Sequence, residues 1–522
     1  MTDNQAESQA AEPTGTTAVE RARTVAVVGT GTMGQGIAQV ALVAGHPVRL
    51  HDTVPGRARE AAAAITGRLD RLVEKGRISA EDRAAAVARL RVADSLDDLA
   101  DAALVVEAIV ERLAVKQELF TALEKIVSDD CLLATNTSSL SVTAIAGALR
   151  LPGRFVGMHF FNPAPLLPLV EIVSGFATDE TAATRAYATA KAWGKTPVRC
   201  ADTPGFIVNR IARPFYAEAL RLYEERAADP ATIDAVLREC GGFKMGPFEL
   251  TDLIGQDVNE AVTRSVWEAF YQDPKFTPSL AQRRLVESGR LGRKTGRGWY
   301  AYGEGAERPQ PRTEAPAPAP AKITVHGGLG HAEPLVGMIE DAGIKVRRHK
   351  RGNYIILPGG GHLTLADGEA VFEYEGEEIV YFDLAHDYRT ATRIALATAP
   401  TTSPETLQEA VGLFQALGKD VTVVGDVPGM IVARTVAMLV DLAVDAVERG
   451  VASPEDIDTA MRLGVNYPAG PMEWGALVGY EYVAEVLRAL HERYPTGRYA
   501  PCLGVARKDH EERAAMKDQD SR

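Results

Sequence analysis

VAVVGTGTMGQGIA, residues Val25–Ala38, runs an apolar strand straight into a Gly-x-Gly-x-x-Gly turn and then into a helix. Each glycine in that turn has a separate physical job. Gly29 makes the tight bend, Gly31 lets the backbone approach a pyrophosphate, and Gly34 lets the helix pack against the strand. The helix N-terminus then offers oriented N–H donors to phosphate, with Thr32 and Met33 in the same turn. A lone glycine triplet is weak evidence, but Asp52 follows at the end of the next apolar run, PVRLHD. That spacing, about 20 residues, suits a carboxylate that hydrogen-bonds both ribose hydroxyls of a dinucleotide. The same carboxylate would repel a 2′-phosphate, and Arg57 is the only cation close behind it, so NAD is expected rather than NADP.

Beyond this start, short β-branched runs alternate with longer helical stretches: Gln35 to Ala44, then an Ala-rich amphipathic stretch to about Leu90, with ALVVEAIVE and LLATN as further strands. Such alternation predicts βαβ units on a parallel sheet. After Thr203 the strands stop, and helices are predicted over Gly205 to Glu225, Pro230 to Glu239 and Gln256 to Tyr271. Asp202 or Thr203 is available to cap the first of these, and Pro214 should bend it near Arg210.

Two segments of the chain repeat. WGKTPVRCADTPGFIVNR (193 to 210) matches LGKDVTVVGDVPGMIVAR (417 to 434), and MGPFEL (245 to 250) matches AGPMEW (469 to 474). The offsets, 434 − 210 and 474 − 250, are both 224, which means a duplicated helical domain. The expected organisation is a disordered tail over 1–22, an NAD-binding Rossmann domain over 23–201 and a helical substrate or dimerisation domain over 202–302. A Pro/Ala linker follows over 303–322, because alternating Ala-Pro excludes helix and favours an extended spacer. Then come a degenerate α/β domain over 323–424, a second, non-catalytic helical domain over 425–507 and a polar tail over 508–522.

Bulk properties exclude several function classes. A net charge of −13 over 522 residues argues against a nucleic-acid or anionic-membrane binder, since counterion displacement needs excess Lys and Arg. Four scattered cysteines without zinc-ligand spacing predict neither disulfides nor a metal, and suit a cytoplasmic protein. No apolar run approaches the roughly 20 residues of a membrane span. A homo-oligomer is left open.

A second constellation lies in FVGMHFFNPAP (155 to 165) and LVEIV (169 to 173). Two strand-like runs flank a proline-stiffened turn, so His159 and Glu171 can meet across neighbouring strands as an imidazole and its orienting carboxylate. From these residues alone, a satisfied core histidine and a catalytic base both remain open.

GxGxMGxGIA (29 to 38), VVEAIVE (105 to 111), NTSS (136 to 139), HFFNP (159 to 163) and DTPGFIVNR (202 to 210), in that order, resemble the (S)-3-hydroxyacyl-CoA dehydrogenase family. The resemblance implies that His159 is the base, Glu171 its stabilising carboxylate, and Ser138 and Asn209 the donors to the substrate's reacting oxygen, at a site between two domains. It implies that Glu111 and Lys116 lie near the nicotinamide ribose, that Asn136 and Ser138 also bind the cofactor, and that Lys75, beside Arg68, Arg71 and Arg77, meets the phosphates of an acyl-CoA substrate. The degenerate second half resembles the duplicated phenylacetate-degradation members, which act on 3-hydroxyadipyl-CoA. In that half Ala433 stands at the position of Asn209, the segment ITVHGGLG (323 to 330) lacks the third glycine, and no HFFNP equivalent is visible near Phe382 to His386. Competing expectations are a sugar-acid dehydrogenase without CoA and a non-catalytic binding relative.

Overall fold

The computed structural model describes residues 17–520 with the exception of residue 375, and divides the chain into two compact units, residues 1–203 and 204–522.

The first unit is a doubly wound α/β layer structure. Its elements are β1 (Thr24–Val28), α1 (Thr32–Val43), β2 (Val48–His51), α2 (Arg57–Glu74), α3 (Ala80–Arg89), β3 (Leu90–Val92), β4 (Ala102–Glu107) and α4 (Leu113–Ile126). They continue with β5 (Leu132–Thr135), α5 (Val142–Ala146), β6 (Phe155–Phe160), β7 (Leu169–Ser174), α6 (Glu180–Ala192) and β8 (Thr196–Ala201). The sheet order is β3-β2-β1-β4-β5-β6-β7-β8. Every pairing is parallel except β6 with β7, which run antiparallel. Buried Val and Leu on both faces of β1 and β4 explain the nearly continuous apolar runs in the sequence, because helices cover a parallel sheet on both sides.

Part of the expected tail is structured. Residues 1–16 lie outside the described residues, whereas Val19 is buried and its N–H donates to Thr189 Oγ1 on α6. Asp202 does not cap the next helix. Its carboxylate accepts from Ser141 Oγ and Thr143 N at the start of α5, within its own unit.

The second unit opens with a turn in which Gly205 and Phe206 both have positive φ, followed by α7 (Val208–Ile211) and α8 (Arg213–Glu224). The predicted single helix is therefore divided at Ala212. Pro214 has no N–H to donate to the carbonyl of Arg210, so the helix must be re-initiated there. Next are α9 (Pro230–Glu239), α10 (Pro247–Ile254), α11 (Gln256–Ala269) and α12 (Leu280–Glu287). The Pro/Ala stretch is extended, as its composition demands, yet it is not a free spacer. Arg312 N donates to Thr232 Oγ1, Glu314 N to Val421 O and Ala317 N to Gln415 Oε1.

A smaller mixed sheet follows, built from β9 (Lys322–Gly327), α13 (Pro334–Asp341), β10 (Lys345–His349), β11 (Asn353–Ile356), β12 (His362–Leu365), β13 (Ile379–Phe382), β14 (Arg393–Thr398), α14 (Pro404–Ala416) and β15 (Asp420–Val424). Its order is β10-β9-β11-β12-β13-β14-β15. The last helices are α15 (Val432–Glu448), α16 (Pro454–Val465), α17 (Pro471–Val478), α18 (Tyr480–Arg493) and α19 (Leu503–Asp520). The polar C-terminal segment expected as a tail is thus largely helix α19. Asp509 on α19 pairs with Arg488 and Arg513, and Glu512 accepts the N–H of Glu481 at the start of α18.

The duplication reaches further than the two sequence motifs. Strands β6 and β13 start 224 residues apart (379 − 155), as do β7 and β14 (393 − 169), α6 and α14 (404 − 180) and α11 and α18 (480 − 256). Pairing directions repeat too: β5 to β8 and β12 to β15 share the sequence parallel, antiparallel, parallel. At this offset Asp383 stands where His159 does and Ala395 where Glu171 does. Asp383 is fully buried and accepts the N–H groups of Ile431, Val432 and Ala433. The second half therefore keeps the strand frame and has replaced the histidine by an acceptor that holds a helix start.

The two helical copies pack through reciprocal ion pairs. Arg210, in the first copy, reaches Asp445 on α15 at 2.7 Å. Its counterpart Arg434, 224 residues later, reaches Glu218 on α8 at 2.8 Å and Glu225 at 2.7 Å. An arginine from each copy crossing to the other copy's long helix is the contact pattern of a two-fold subunit interface, here folded into one chain.

Candidate active site and cofactor cradle

The glycine turn behaves as its sequence predicts. Gly29 has φ of +92°, and a Cβ there would lie 2.5 Å from the carbonyl oxygen of Ala108. A Cβ on Gly34 would lie 1.8 Å from the carbonyl oxygen of Gly29, so only glycine lets α1 sit this close to β1. A Cβ on Gly31, by contrast, would meet nothing within 4 Å. That space opens on a cavity of about 630 Å³ bounded by Gly29 to Gly31, by Asp52 to Val54 and by the apolar wall of Ile109, Val110, Val115 and Leu119. Thr32 is exposed in the first turn of α1, while Met33 turns its side chain into the core, so any contact from Met33 to a ligand here is through its backbone.

Asp52 is held ready. Its Oδ2 accepts from Thr30 N at 2.9 Å and from Thr30 Oγ1 at 2.7 Å, and Oδ1 accepts from Val54 N at 3.0 Å. Partial burial opposes its charge, but these donors, with Arg57 nearby, keep its pKa below the ordinary carboxylate value. A permanently ionised carboxylate at the end of β2, beside a bend with room for pyrophosphate, fits the ribose of NAD. Replacing it with alanine should weaken NAD by about 10- to 100-fold, the size of one or two charge-assisted hydrogen bonds, while improving use of NADP. The ratio of kcat/KM for the two cofactors measures this.

A buried charged knot fixes the loops on the other side of the turn. Lys116, only 1% exposed, bonds Glu107 Oε1 at 2.5 Å and Glu111 Oε2 at 3.2 Å. Glu107 also accepts from Thr135 Oγ1 and Ile109 N, so both of its oxygens are engaged inside the sheet. Glu111 Oε1 gathers Thr137 Oγ1, Ser138 N and Ser139 N. Burial raises the energy of its charge, yet Lys116 and these donors hold its pKa below the normal range. Glu111 and Lys116 are thus joined in one hydrogen-bonded network with Glu107 and the Ser138 loop. Glu107, the hub of the knot, was not singled out in the sequence, where it reads as one more residue of an apolar strand.

Asn136 Oδ1 accepts the N–H of Phe160 at 2.8 Å, which ties the Ser138 loop to the end of β6. On that strand His159 faces Glu171 directly, as paired residues of the antiparallel register. His159 Nδ1 lies 2.6 Å from Glu171 Oε2, with the carboxylate fully buried and the ring 5% exposed. The imidazole also lies against the Phe161 ring, with centroids 4.5 Å apart. Asn209 is on the short helix α7 of the second unit.

The four cations at the end of α2 and just beyond it divide into two kinds. Arg68 is partly buried and donates to Gln35 Oε1, whereas Arg71, Lys75 and Arg77 are exposed. Among the described residues there is no cluster that could hold a metal, no helix long and apolar enough to cross a membrane, and all four cysteines are free thiols.

Comparison with known proteins bears on the whole of this arrangement. Residues 24–203 match the family "3-hydroxyacyl-CoA dehydrogenase, NAD binding domain", residues 205–302 and again 429–521 match its C-terminal domain, and residues 363–428 match "3-hydroxybutyryl-CoA dehydrogenase reduced Rossmann-fold domain". The chain belongs to the 3-hydroxyacyl-CoA dehydrogenase family. It is 43% identical to the 3-hydroxyadipyl-CoA dehydrogenase of Escherichia coli, over 92% of this chain and 96% of that protein. Its first half is 41% identical to the mitochondrial hydroxyacyl-coenzyme A dehydrogenase of Sus scrofa, over 53% of this chain and 90% of that one. A crystal structure of 3-hydroxybutyryl-CoA dehydrogenase from Escherichia coli K12 superposes with a TM-score of 0.87 at 41% identity, covering 95% of this chain and 99% of that one.

The activity is therefore the NAD-dependent oxidation of an (S)-3-hydroxyacyl-CoA to the 3-oxoacyl-CoA, as expected from the five ordered motifs. The Rossmann domain, the helical domain, the second sheet and the second helical copy are those of a duplicated 3-hydroxyacyl-CoA dehydrogenase.

Proposed function

We propose that this dehydrogenase oxidises 3-hydroxyadipyl-CoA, with His159 as general base, Glu171 as the carboxylate that orients and stabilises it, and Ser138 and Asn209 as donors to the reacting oxygen. The observation that carries the catalytic part is the 2.6 Å contact of His159 Nδ1 with the buried Glu171 carboxylate. A carboxylate at that nitrogen selects the tautomer in which Nδ1 bears the proton, so Nε2 presents the lone pair that takes the substrate's hydroxyl proton. NAD, when bound, supplies the acceptor for the hydride leaving C3. As C3 becomes a carbonyl, the negative charge building on its oxygen is met by Ser138, whose loop is anchored through Glu111 and Asn136, and by Asn209. Pre-fixing these donors lowers the reorganisation needed at the moment of reaction.

The acyl group is proposed from the 3-hydroxyadipyl name of the relative that matches nearly the whole chain; the crystal neighbour is named for 3-hydroxybutyryl-CoA, so the two names set the comparison to make. The CoA phosphates are assigned to the exposed cations Arg71, Lys75 and Arg77 at the C-terminal end of α2 and just beyond it. Replacing Arg71 and Lys75 together by alanine should raise KM for a CoA thioester by roughly tenfold at low salt and leave the NAD constant unchanged. An unaltered KM would remove this end of α2 from the substrate site. The direct test of the reaction is NADH formation from 3-hydroxyadipyl-CoA and 3-hydroxybutyryl-CoA at equal concentration. A cytoplasmic location and a homo-oligomeric state belong to the same proposal, the second measured by light scattering.

A further inference from the structure

Five arginines of the described residues are buried: Arg210, Arg213, Arg393, Arg434 and Arg498. Four have carboxylate partners, namely Asp445 for Arg210, Glu239 and Asp420 for Arg393, Glu218 and Glu225 for Arg434, and Glu218 for Arg498. Arg213, 5% exposed at the start of α8, is the exception. Its one hydrogen bond goes to Thr263 Oγ1 at 3.0 Å, its guanidinium lies 5.1 Å from the Tyr216 ring centroid, and its Nε is buried without a partner. An uncompensated buried charge is expensive, and an anion arriving from outside would offset that cost.

Arg213 lines a narrow cavity of about 50 Å³. The volume exceeds the ~10–15 Å³ that one water needs and is far too small for a nucleotide, which suits a single carboxylate group. Arg221, two turns further along the same face of α8, lines the same cavity and also makes no ion pair among the described residues. Glu218, whose charge acts on Arg221, is already shared by Arg434 and Arg498. Between the two arginines stands Ala217, whose small side chain leaves the face open. Glu224 closes the far end but is held by Ser279 Oγ and Ala281 N.

Asn209, on α7, precedes Arg213, at the start of α8, by four residues across the break at Ala212. Under the reading above, Asn209 meets the oxygen on C3. In an adipyl chain the distal carboxylate is the third carbon beyond C3, so its receptor must lie near the residue that meets the C3 oxygen, and Arg213 is the first buried arginine after Asn209 without an acid partner among the described residues. We infer that Arg213, with Arg221 behind it, is the receptor for the distal carboxylate of the acyl group and sets the preference for a dicarboxylic 3-hydroxyacyl-CoA over a plain-chain one. The guanidinium fork offers two parallel donors to that carboxylate, while a methyl-ended chain leaves the cation buried and unanswered.

This inference rests on the proposed substrate, and its experiment separates the two. Wild type, Arg213→Met and Arg213→Lys are compared by kcat/KM on 3-hydroxyadipyl-CoA and 3-hydroxybutyryl-CoA. Wild type should favour the dicarboxylic substrate. Arg213→Met should lower its kcat/KM by about 100-fold while the plain-chain value stays within a few-fold, and Arg213→Lys should recover part of the loss. Free adipate should raise the melting temperature of wild type but not of Arg213→Met, a readout that needs no turnover. Equal loss on both substrates, or none on either, would overturn the role of Arg213 with the substrate assignment intact. A wild type without preference would overturn the substrate assignment itself and the inference with it.

Discussion

Alanine in place of His159 should lower kcat by roughly 10²- to 10⁴-fold and leave the dissociation constant for NAD within about twofold of wild type. The two halves of that expectation follow from separate parts of the first unit. The cofactor cradle is built from the β1 turn and Asp52, whereas His159 sits on β6 and bonds across to β7. Stopped-flow or steady-state NADH absorbance gives kcat, and fluorescence titration gives the cofactor constant. Parallel loss of both would mean that the ring holds the sheet together; a kcat within a few-fold of wild type would put the base elsewhere. Because Glu171 acts through His159, adding Glu171→Gln to His159→Ala should make little further difference to kcat, since residues that work as a unit are strongly non-additive.

The second large effect should be on stability. Glu218 is fully buried on α8 and serves both helical copies: Arg434 and Tyr499 bond its Oε2, and Arg498 bonds its Oε1. Glu218→Ala leaves two buried guanidinium groups without their central acceptor. Breaking a buried pair in this way costs about 3 to 5 kcal/mol, against well under 1 kcal/mol for an exposed pair such as Arg283 with Glu287. The urea midpoint of the full chain measures the difference. The same carboxylate predicts acid sensitivity. Burial alone would raise its pKa, but Arg498, Arg434 and Arg221 overcome that and bring it to about 2 from an ordinary value of 4.5. A depressed folded pKa contributes stability that is complete above about pH 4.5 and is lost as pH falls towards 2. Glu218→Gln should therefore flatten the acid limb of the stability profile as well as lowering its plateau.

Helix α15 and the Arg498–Tyr499 segment of the second copy supply the surface on which α8 packs. The active residues were lost from the repeat without loss of the frame: Asp383 and Ala395 occupy the strand positions of the histidine and glutamate, and Ala433 that of Asn209.

Much of the first unit was readable from local chemistry alone. A glycine turn has only a few steric solutions, so the spacing of Gly29, Gly31 and Gly34, with Asp52 some 20 residues on, sufficed to predict strand, bend, helix and acid. The cross-strand meeting of His159 and Glu171 was likewise foreseeable, because two apolar runs joined by a proline turn have few ways to pair. Long-range partners were not. Nothing around Glu107 in sequence says that Lys116 and Thr135 will bury their polar ends on it, and Asp202 looked like a cap for the helix after it when its acceptors were needed by α5.

The sequence by itself determined the dinucleotide cradle and the existence of a repeat, since each depends on contacts within one or two neighbouring elements, and its five ordered motifs pointed by resemblance to the class of chemistry. Only the tertiary structure decided that the repeat runs in register through its second sheet, that the Pro/Ala segment is hydrogen-bonded in place, that the final polar stretch is a helix, and that, among the described residues, Arg213 alone of the buried arginines lacks an acid. Those outcomes depend on which distant side chains share a desolvated space, and a charge's partner there is chosen by packing rather than by its neighbours along the chain.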